Sequence, residues 1–91
     1  MMVTKKEIKN IIKELKIYNE CLYIAYDKEL ILKLKEKVLY NVKKLNYSIE
    51  LKYGNDKNEE YVNKILNTDS VALITVYVKV YLKFIKLDYN L

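Results

Sequence analysis

The fold of this 91-residue chain depends on the conformation of the stretch Val71–Leu87, VALITVYVKVYLKFIKL. Every even position from 72 to 84 is apolar, whereas the odd positions from 75 to 83 are polar or amphipathic. Alternation with period two places these sets on opposite faces of a β-strand. Valine, isoleucine, tyrosine and threonine are also typical of half-buried sheet surfaces. The pattern therefore favours one long C-terminal strand that ends near Phe84, where the alternation breaks.

A helix is the alternative conformation for the same stretch. Polar residues recur there at steps of four, four, three and four, which is the pattern of a narrow polar stripe on a helix. This stripe consists of Thr75, Lys79, Lys83, Lys86 and Asn90. Periodicity alone does not separate helix from strand in short apolar runs, and the β-branched content favours the strand.

The length of such a strand predicts self-association. Thirteen alternating residues, 72 to 84, would span roughly 43 Å at about 3.3 Å each. A domain of this size has a radius of gyration near 12 Å, so such a strand must bend, break or project beyond its own domain. A projecting strand has unpaired backbone groups that invite a second copy to pair. We therefore expect a homodimer or a higher homo-oligomer.

The N-terminal part of the chain predicts two helices. Thr4 and Glu7 form a capping box, and the apolar spacing that follows predicts a helix to about Tyr18. Asp27 is a suitable N-cap for a second helix, which we expect to end at Asn46. Between them, residues 20–26 are apolar on both faces, which slightly favours a buried strand over a continuation of the first helix.

The middle of the chain predicts a strand, a turn and a short helix. Residues 45–53 alternate between apolar and polar side chains, as in a strand with one buried face. Gly54 marks a turn, and Asp56 with Glu59 repeats the capping pattern ahead of a short helix. We therefore predict that residues 1–91 form a single α+β domain, with a small sheet of two or three strands and helices packed on one face. An all-α four-helix domain is the alternative.

The amino-acid composition excludes several classes of enzyme and metal site. The chain has no histidine, arginine, proline, tryptophan or glutamine, and a single cysteine, Cys21. Histidine-dependent catalytic triads and zinc sites are therefore excluded, and we expect no enzyme activity, no metal and no cofactor. The longest apolar run, Val71–Val78, is much shorter than a membrane span, and early lysines break any signal-peptide pattern. A cytoplasmic protein is the expectation.

The basic character of the chain is uneven along its length. Residues 1–45 hold eleven lysines and six acids, whereas residues 46–91 hold six of each. Such asymmetry is compatible with binding to nucleic acid or another anionic surface. It is equally compatible with a solvated helix face that keeps the protein soluble, which the interspersed acids favour.

The candidate binding residues are Tyr77, Lys79, Tyr81 and Lys83, which would share one face of the C-terminal strand. Tyrosine is frequent in protein interfaces, so we expect a small non-enzymatic regulatory protein that acts through protein–protein contacts. Alternating aromatics and cations also suit nucleic acid, together with the lysine-rich helices, as the alternative partner. A remote alternative is a metal-dependent nuclease that uses Asp27, Glu50 and Lys52.

Overall fold

A computed structural model describes residues 2–91 as four α-helices joined by short loops. The helices are α1 (Lys5–Ile24), α2 (Lys28–Tyr53), α3 (Glu59–Leu66) and α4 (Val71–Asp88). Across residues 2–91 there is no β-strand. The predicted α+β fold with a long C-terminal strand is therefore wrong, and the alternative all-α four-helix fold is the one observed.

Helix α1 begins as predicted but continues further than expected. The Thr4 Oγ1 accepts a hydrogen bond from the backbone N–H of Glu7 at 3.1 Å, so Thr4 is the N-cap. Ile8, Leu15 and Leu22 are fully buried at a spacing of seven residues, which keeps them on one face of a helix. This core face extends past Tyr18, so the predicted strand at 20–26 is wrong: helix α1 reaches Ile24.

Helix α2 includes residues 45–53, which were predicted to form a strand. Its buried residues recur every three or four positions without interruption: Leu34, Val38, Asn41, Val42, Leu45, Ser48 and Ile49. Residues 45–53 continue this face, so neither the helix end at Asn46 nor the strand was correct. The helix ends at Gly54, which has a φ of 92° that a glycine adopts without strain. Gly54 was correctly predicted as a turn.

Helix α4 replaces the predicted C-terminal strand. Its N-cap is Ser70, whose Oγ accepts a hydrogen bond from the backbone N–H of Leu73 at 3.2 Å. The buried residues Ile74, Thr75, Val78, Tyr81, Leu82 and Ile85 include both even and odd positions at helical spacing. Even-numbered Val76 is half exposed. The period-two alternation is therefore a result of dense apolar composition and not of a pleated backbone.

Helix α1 packs against both α2 and α4, while α3 packs against α4 and α2. Helices α1 and α4 are antiparallel, because Asn19 Nδ2 donates to the Thr75 carbonyl at 3.0 Å while Lys9 and Lys86 line one cleft near the opposite end. One apolar core joins side chains from all four helices. The molecule measures 38 × 22 × 21 Å. Among residues 2–91 we find no helix with the length and apolar character needed to cross a membrane.

Tyrosine hydroxyls of the α4 segment hold the loop between α2 and α3. The Tyr81 hydroxyl donates to Asp56 Oδ2 at 2.6 Å, and the backbone N–H of Asn58 donates to Asp56 Oδ1 at 2.9 Å. The Tyr89 hydroxyl donates to the Asn55 carbonyl at 3.0 Å. Asp56 was predicted as the N-cap of α3, but Asn58 occupies that position and the buried Asp56 carboxylate orders the loop instead.

We expect the Tyr81→Phe substitution to lower the free energy of unfolding by about 1–3 kcal/mol, because it leaves the buried Asp56 carboxylate without its phenol donor. Tyr47→Phe is the matched control, since Tyr47 is 62% exposed, and it should change stability by less than about 0.5 kcal/mol. Urea unfolding at neutral pH measures both. Equal effects of the two substitutions would contradict a stabilising role for the Tyr81–Asp56 bond.

The same bond predicts a loss of stability at alkaline pH. Burial raises the pKa of the Tyr81 phenol above 10.0, and its hydrogen bond to Asp56 acts in the same direction. Above about pH 10 the unfolded chain ionises this phenol while the folded chain does not, so stability falls as pH rises. Urea midpoints from about pH 9 to about pH 11 should fall more steeply for the wild type than for Tyr81→Phe. Parallel slopes would contradict a neutral, buried Tyr81.

Candidate functional site

Helix α4 separates the four residues that were predicted to share a strand face. Residues two apart on a helix point about 200° apart, whereas residues four apart lie on the same side. Tyr77 and Tyr81 therefore face α3 and the core: Tyr81 is fully buried, and Lys64 Nζ lies 5.9 Å from the Tyr77 ring centroid. Lys79 and Lys83 are exposed on the other side, toward α1. The structure does not bring the four side chains together.

Lys79 and Lys83 line a groove between the antiparallel helices α1 and α4. The groove consists of a cleft of about 470 Å³ and a neighbouring cleft of about 320 Å³, which share Lys16 and Lys86. Its rim carries six exposed lysines, three from each helix: Lys9, Lys13, Lys16, Lys79, Lys83 and Lys86. We call this feature the lysine groove. None of its six lysines forms an ion pair with a carboxylate among residues 2–91.

The lysine groove carries a large local excess of positive charge. Its lining residues include six lysines and one acid, Glu20, which amounts to +5. The whole chain has seventeen lysines and twelve acids, also +5. The remaining eleven lysines and eleven acids sum to zero but are spread unevenly, since α2 holds seven lysines and three acids. The groove thus gathers three lysines from residues 1–45 and three from residues 46–91 at one surface, a grouping that the count by sequence halves did not reveal.

Helical spacing on α1 produces this concentration. Lys9, Lys13 and Lys16 follow steps of four and three, so they form one stripe beside the core face. Glu7 and Glu14 lie seven residues apart on the other flank of the helix, where they line a separate cleft with residues of α2. The helix therefore directs its lysines toward α4 and these two acids toward α2. The α4 lysines show the same steps, which were visible in the sequence as the polar stripe of the helical alternative.

The floor of the lysine groove is apolar. Ile12 and Leu82 are buried there, and Leu87 is 67% exposed at its edge. Asn19 also lies at the floor and is buried. Its Nδ2 donates to the Thr75 carbonyl at 3.0 Å, but its Oδ1 makes no hydrogen bond within residues 2–91. The groove therefore combines an apolar base with a cationic rim, which suits an anionic ligand that also has an apolar side.

The groove continues into an apolar surface at the end of α1. A cleft of about 340 Å³ shares Glu20 and Lys79 with the groove and is also lined by Tyr23 and Ile24. A further cleft of about 430 Å³ at the α1–α2 turn shares Ile24 and includes Tyr26. Ile24 is 74% and Tyr26 is 94% exposed. We call the surface formed by these two clefts the apolar end, and together with the lysine groove it forms one track along α1.

The three residues of the nuclease alternative, Asp27, Glu50 and Lys52, do not form a metal site. Asp27 precedes the first residue of α2, whereas Glu50 lies in its last turn. A helix of 26 residues is about 39 Å long, so these carboxylates cannot share one metal ion. Glu50 and Lys52 are two residues apart on a helix and point in different directions. Within residues 2–91 there is no cluster of three or more cysteine, aspartate or glutamate side chains that could hold a metal.

Comparison with known proteins found no matching family, no similar curated protein and no similar solved structure. The lysine groove and the apolar end are the two surface features on which a functional proposal is based.

We expect Lys83→Gln to raise the free energy of unfolding by about 0.2–0.5 kcal/mol at low salt, because it relieves repulsion within the lysine groove. The gain should disappear at about 1 M salt, where charges are screened beyond about 3 Å. Lys33→Gln is the control: Glu29 and Glu36 lie one turn away along α2, so it should be neutral or slightly destabilising. Urea unfolding at two salt concentrations measures both. A gain for Lys83→Gln that persists at high salt would contradict the electrostatic cause.

Proposed function

We propose that this chain is a small non-enzymatic regulatory protein that binds an acidic segment of a partner protein in the lysine groove. One observation carries the proposal: six lysines and a single acidic side chain line a groove that has an apolar floor. An acidic and partly apolar protein segment matches both properties. Complementary charge directs encounter and excludes basic partners, while apolar contact in the groove provides affinity.

The lysines of the rim and the apolar floor are expected to contribute different amounts of binding free energy. Exposed lysine–carboxylate pairs contribute about 0.2–1 kcal/mol each and weaken with salt. Burial of apolar surface contributes about 25 cal/mol per Å², which salt does not weaken. The exposed Leu87 would therefore anchor the partner, and the lysines would select it by charge. Binding is expected to weaken in high salt without being abolished.

A cytoplasmic location is part of the proposal. Cys21 is an exposed free cysteine, and free thiols persist in reducing compartments.

The expected self-association has lost its original basis, because the strand that was to pair with a second copy is a helix. It stays a prediction, and light scattering in solution measures it directly.

Nucleic acid is the second candidate ligand, favoured by the density of unpaired lysines. Six cations on two facing helices would neutralise a phosphate backbone. The predicted stacking surface is missing, however, because Tyr77 and Tyr81 face away from the lysines. The chain also contains no arginine, the residue most often used for bidentate base contacts. Nucleic-acid binding would therefore be non-specific and would fall steeply with salt.

The test uses a labelled model peptide of about 16 residues, with glutamate and leucine at helical spacing, and fluorescence anisotropy. Lys16→Glu combined with Lys83→Glu should weaken binding at least about tenfold, which corresponds to about 1.4 kcal/mol. The control is Lys33→Glu combined with Lys43→Glu, which makes the same charge change on the exposed face of α2. It should change affinity by less than about twofold.

Two outcomes would overturn the proposal. Equal loss in both double variants would mean that the peptide responds only to net charge. Absence of peptide binding, together with binding of a poly(dT) oligonucleotide that weakens with salt, would favour the second candidate.

A further inference from the structure

We propose that the partner segment is a helix with two chemically different halves, an acidic half in the lysine groove and an apolar half on the apolar end. The inference rests on the proposed function and specifies the ligand of the same site. Its basis is the continuity of the two surfaces: Glu20 and Lys79 border both the last cleft of the groove and the first cleft of the apolar end.

A helix fits this track better than an extended segment. The groove part of the track is bounded by α1 and α4, whose backbone N–H and C=O groups bond within each helix, so it offers no sheet edge. An extended segment would place its own backbone polar groups against Ile12, Leu82 and Leu87 without partners. A helix satisfies its backbone internally and presents only side chains to the apolar floor.

The dimensions give the length of the partner helix. Lys9 and Ile24 mark the two ends of the track on α1, and they are fifteen residues apart. At 1.5 Å per residue the track is roughly 22 Å long, which corresponds to about four turns of a partner helix. Lys9, Lys13 and Lys86 occupy the end near Lys9, whereas Lys79 lies with exposed apolar side chains in the half near Ile24.

Charge complementarity requires the two halves to differ. At the lysine end, Lys9, Lys13 and Lys86 surround one cleft that has no acidic side chain among its lining residues. At the other end, Lys79 Nζ lies 4.9 Å from the Tyr23 ring centroid, so this cation already interacts with an aromatic face of the protein. An acidic residue near Ile24 would therefore lose hydration without gaining a free lysine. An apolar residue there would cover exposed Ile24 and Tyr26.

The natural cysteine makes the orientation measurable without any substitution. Cys21 is the only cysteine, it is exposed, and it lines both clefts of the apolar end. The probes are peptides of about 16 residues with one glutamate-rich half and one leucine-rich half. Each carries an activated mixed disulfide at either the acidic or the apolar terminus. Both orders of the two halves are made, so that chain direction is controlled.

We expect disulfide exchange with Cys21 to be at least about tenfold faster when the activated disulfide is at the apolar terminus, for both orders of the halves, because bound peptide holds it close to the thiol. Rates are normalised to the exchange of each peptide with free cysteine. Equal rates from the two termini, or faster exchange from the acidic terminus, would overturn the inference.

Two substitutions separate this inference from the proposed function. Ile24→Lys should weaken peptide binding at least about fivefold, whereas Leu32→Lys, which is also at an exposed position, should not. If Lys16→Glu with Lys83→Glu weakens binding while Ile24→Lys does not, the two-part ligand is wrong and the groove proposal stands. If the peptide does not bind at all, both are overturned.

Discussion

The antiparallel packing of α1 against α4 is the contact on which the rest of the molecule depends. It joins the first and last helices of the chain, and it buries Leu15 and Ile74 fully in one core. The same contact brings lysines from positions about seventy residues apart to the two sides of one groove. Core and candidate site are therefore two sides of a single helix pair. Any change that separates α1 from α4 would destroy stability and binding together.

Local signals in the sequence were sufficient for the boundaries of several helices. The Thr4 capping box and the Gly54 turn lie where they were predicted, because each depends on hydrogen bonds or dihedral angles within a few residues. The long helices were harder to assign. In α4 the apolar residues are so dense that both a period of two and a period of 3.6 fit, and β-branched side chains then favoured the wrong choice. Burial in the core overrides that weak preference.

The error in α2 has a different physical cause. Residues 45–53 alternate like a strand, but Leu45, Ser48 and Ile49 also continue the helical core face that begins at Leu34. No glycine or proline interrupts the chain between Lys28 and Tyr53. In a chain with a single glycine and no proline, the absence of a break was more informative than the alternation.

The lysine groove could be predicted only in part from the sequence. The steps of the α4 lysines were recognisable as a helical stripe, but the pairing of that stripe with Lys9 and Lys13 is a tertiary contact that periodicity does not reveal. Counting charges by sequence halves obscured it further, because α4 shares its half with acids that fold to other surfaces, such as buried Asp56. Tyr81 was chosen for its chemistry as a binding residue, and instead its hydroxyl orders a loop.

The positive charge of the lysine groove has a consequence for colloidal behaviour. Proteins repel their own copies in solution mainly through net charge, and precipitation becomes easier as that charge approaches zero. Here the lysine groove and α2, which holds seven lysines and three acids, both contribute to a net charge of +5. A ligand bearing about five carboxylates would cancel it, so the occupied form would be the less dispersed of the two. Binding of such a ligand in the groove would therefore reduce the repulsion between copies and favour their association.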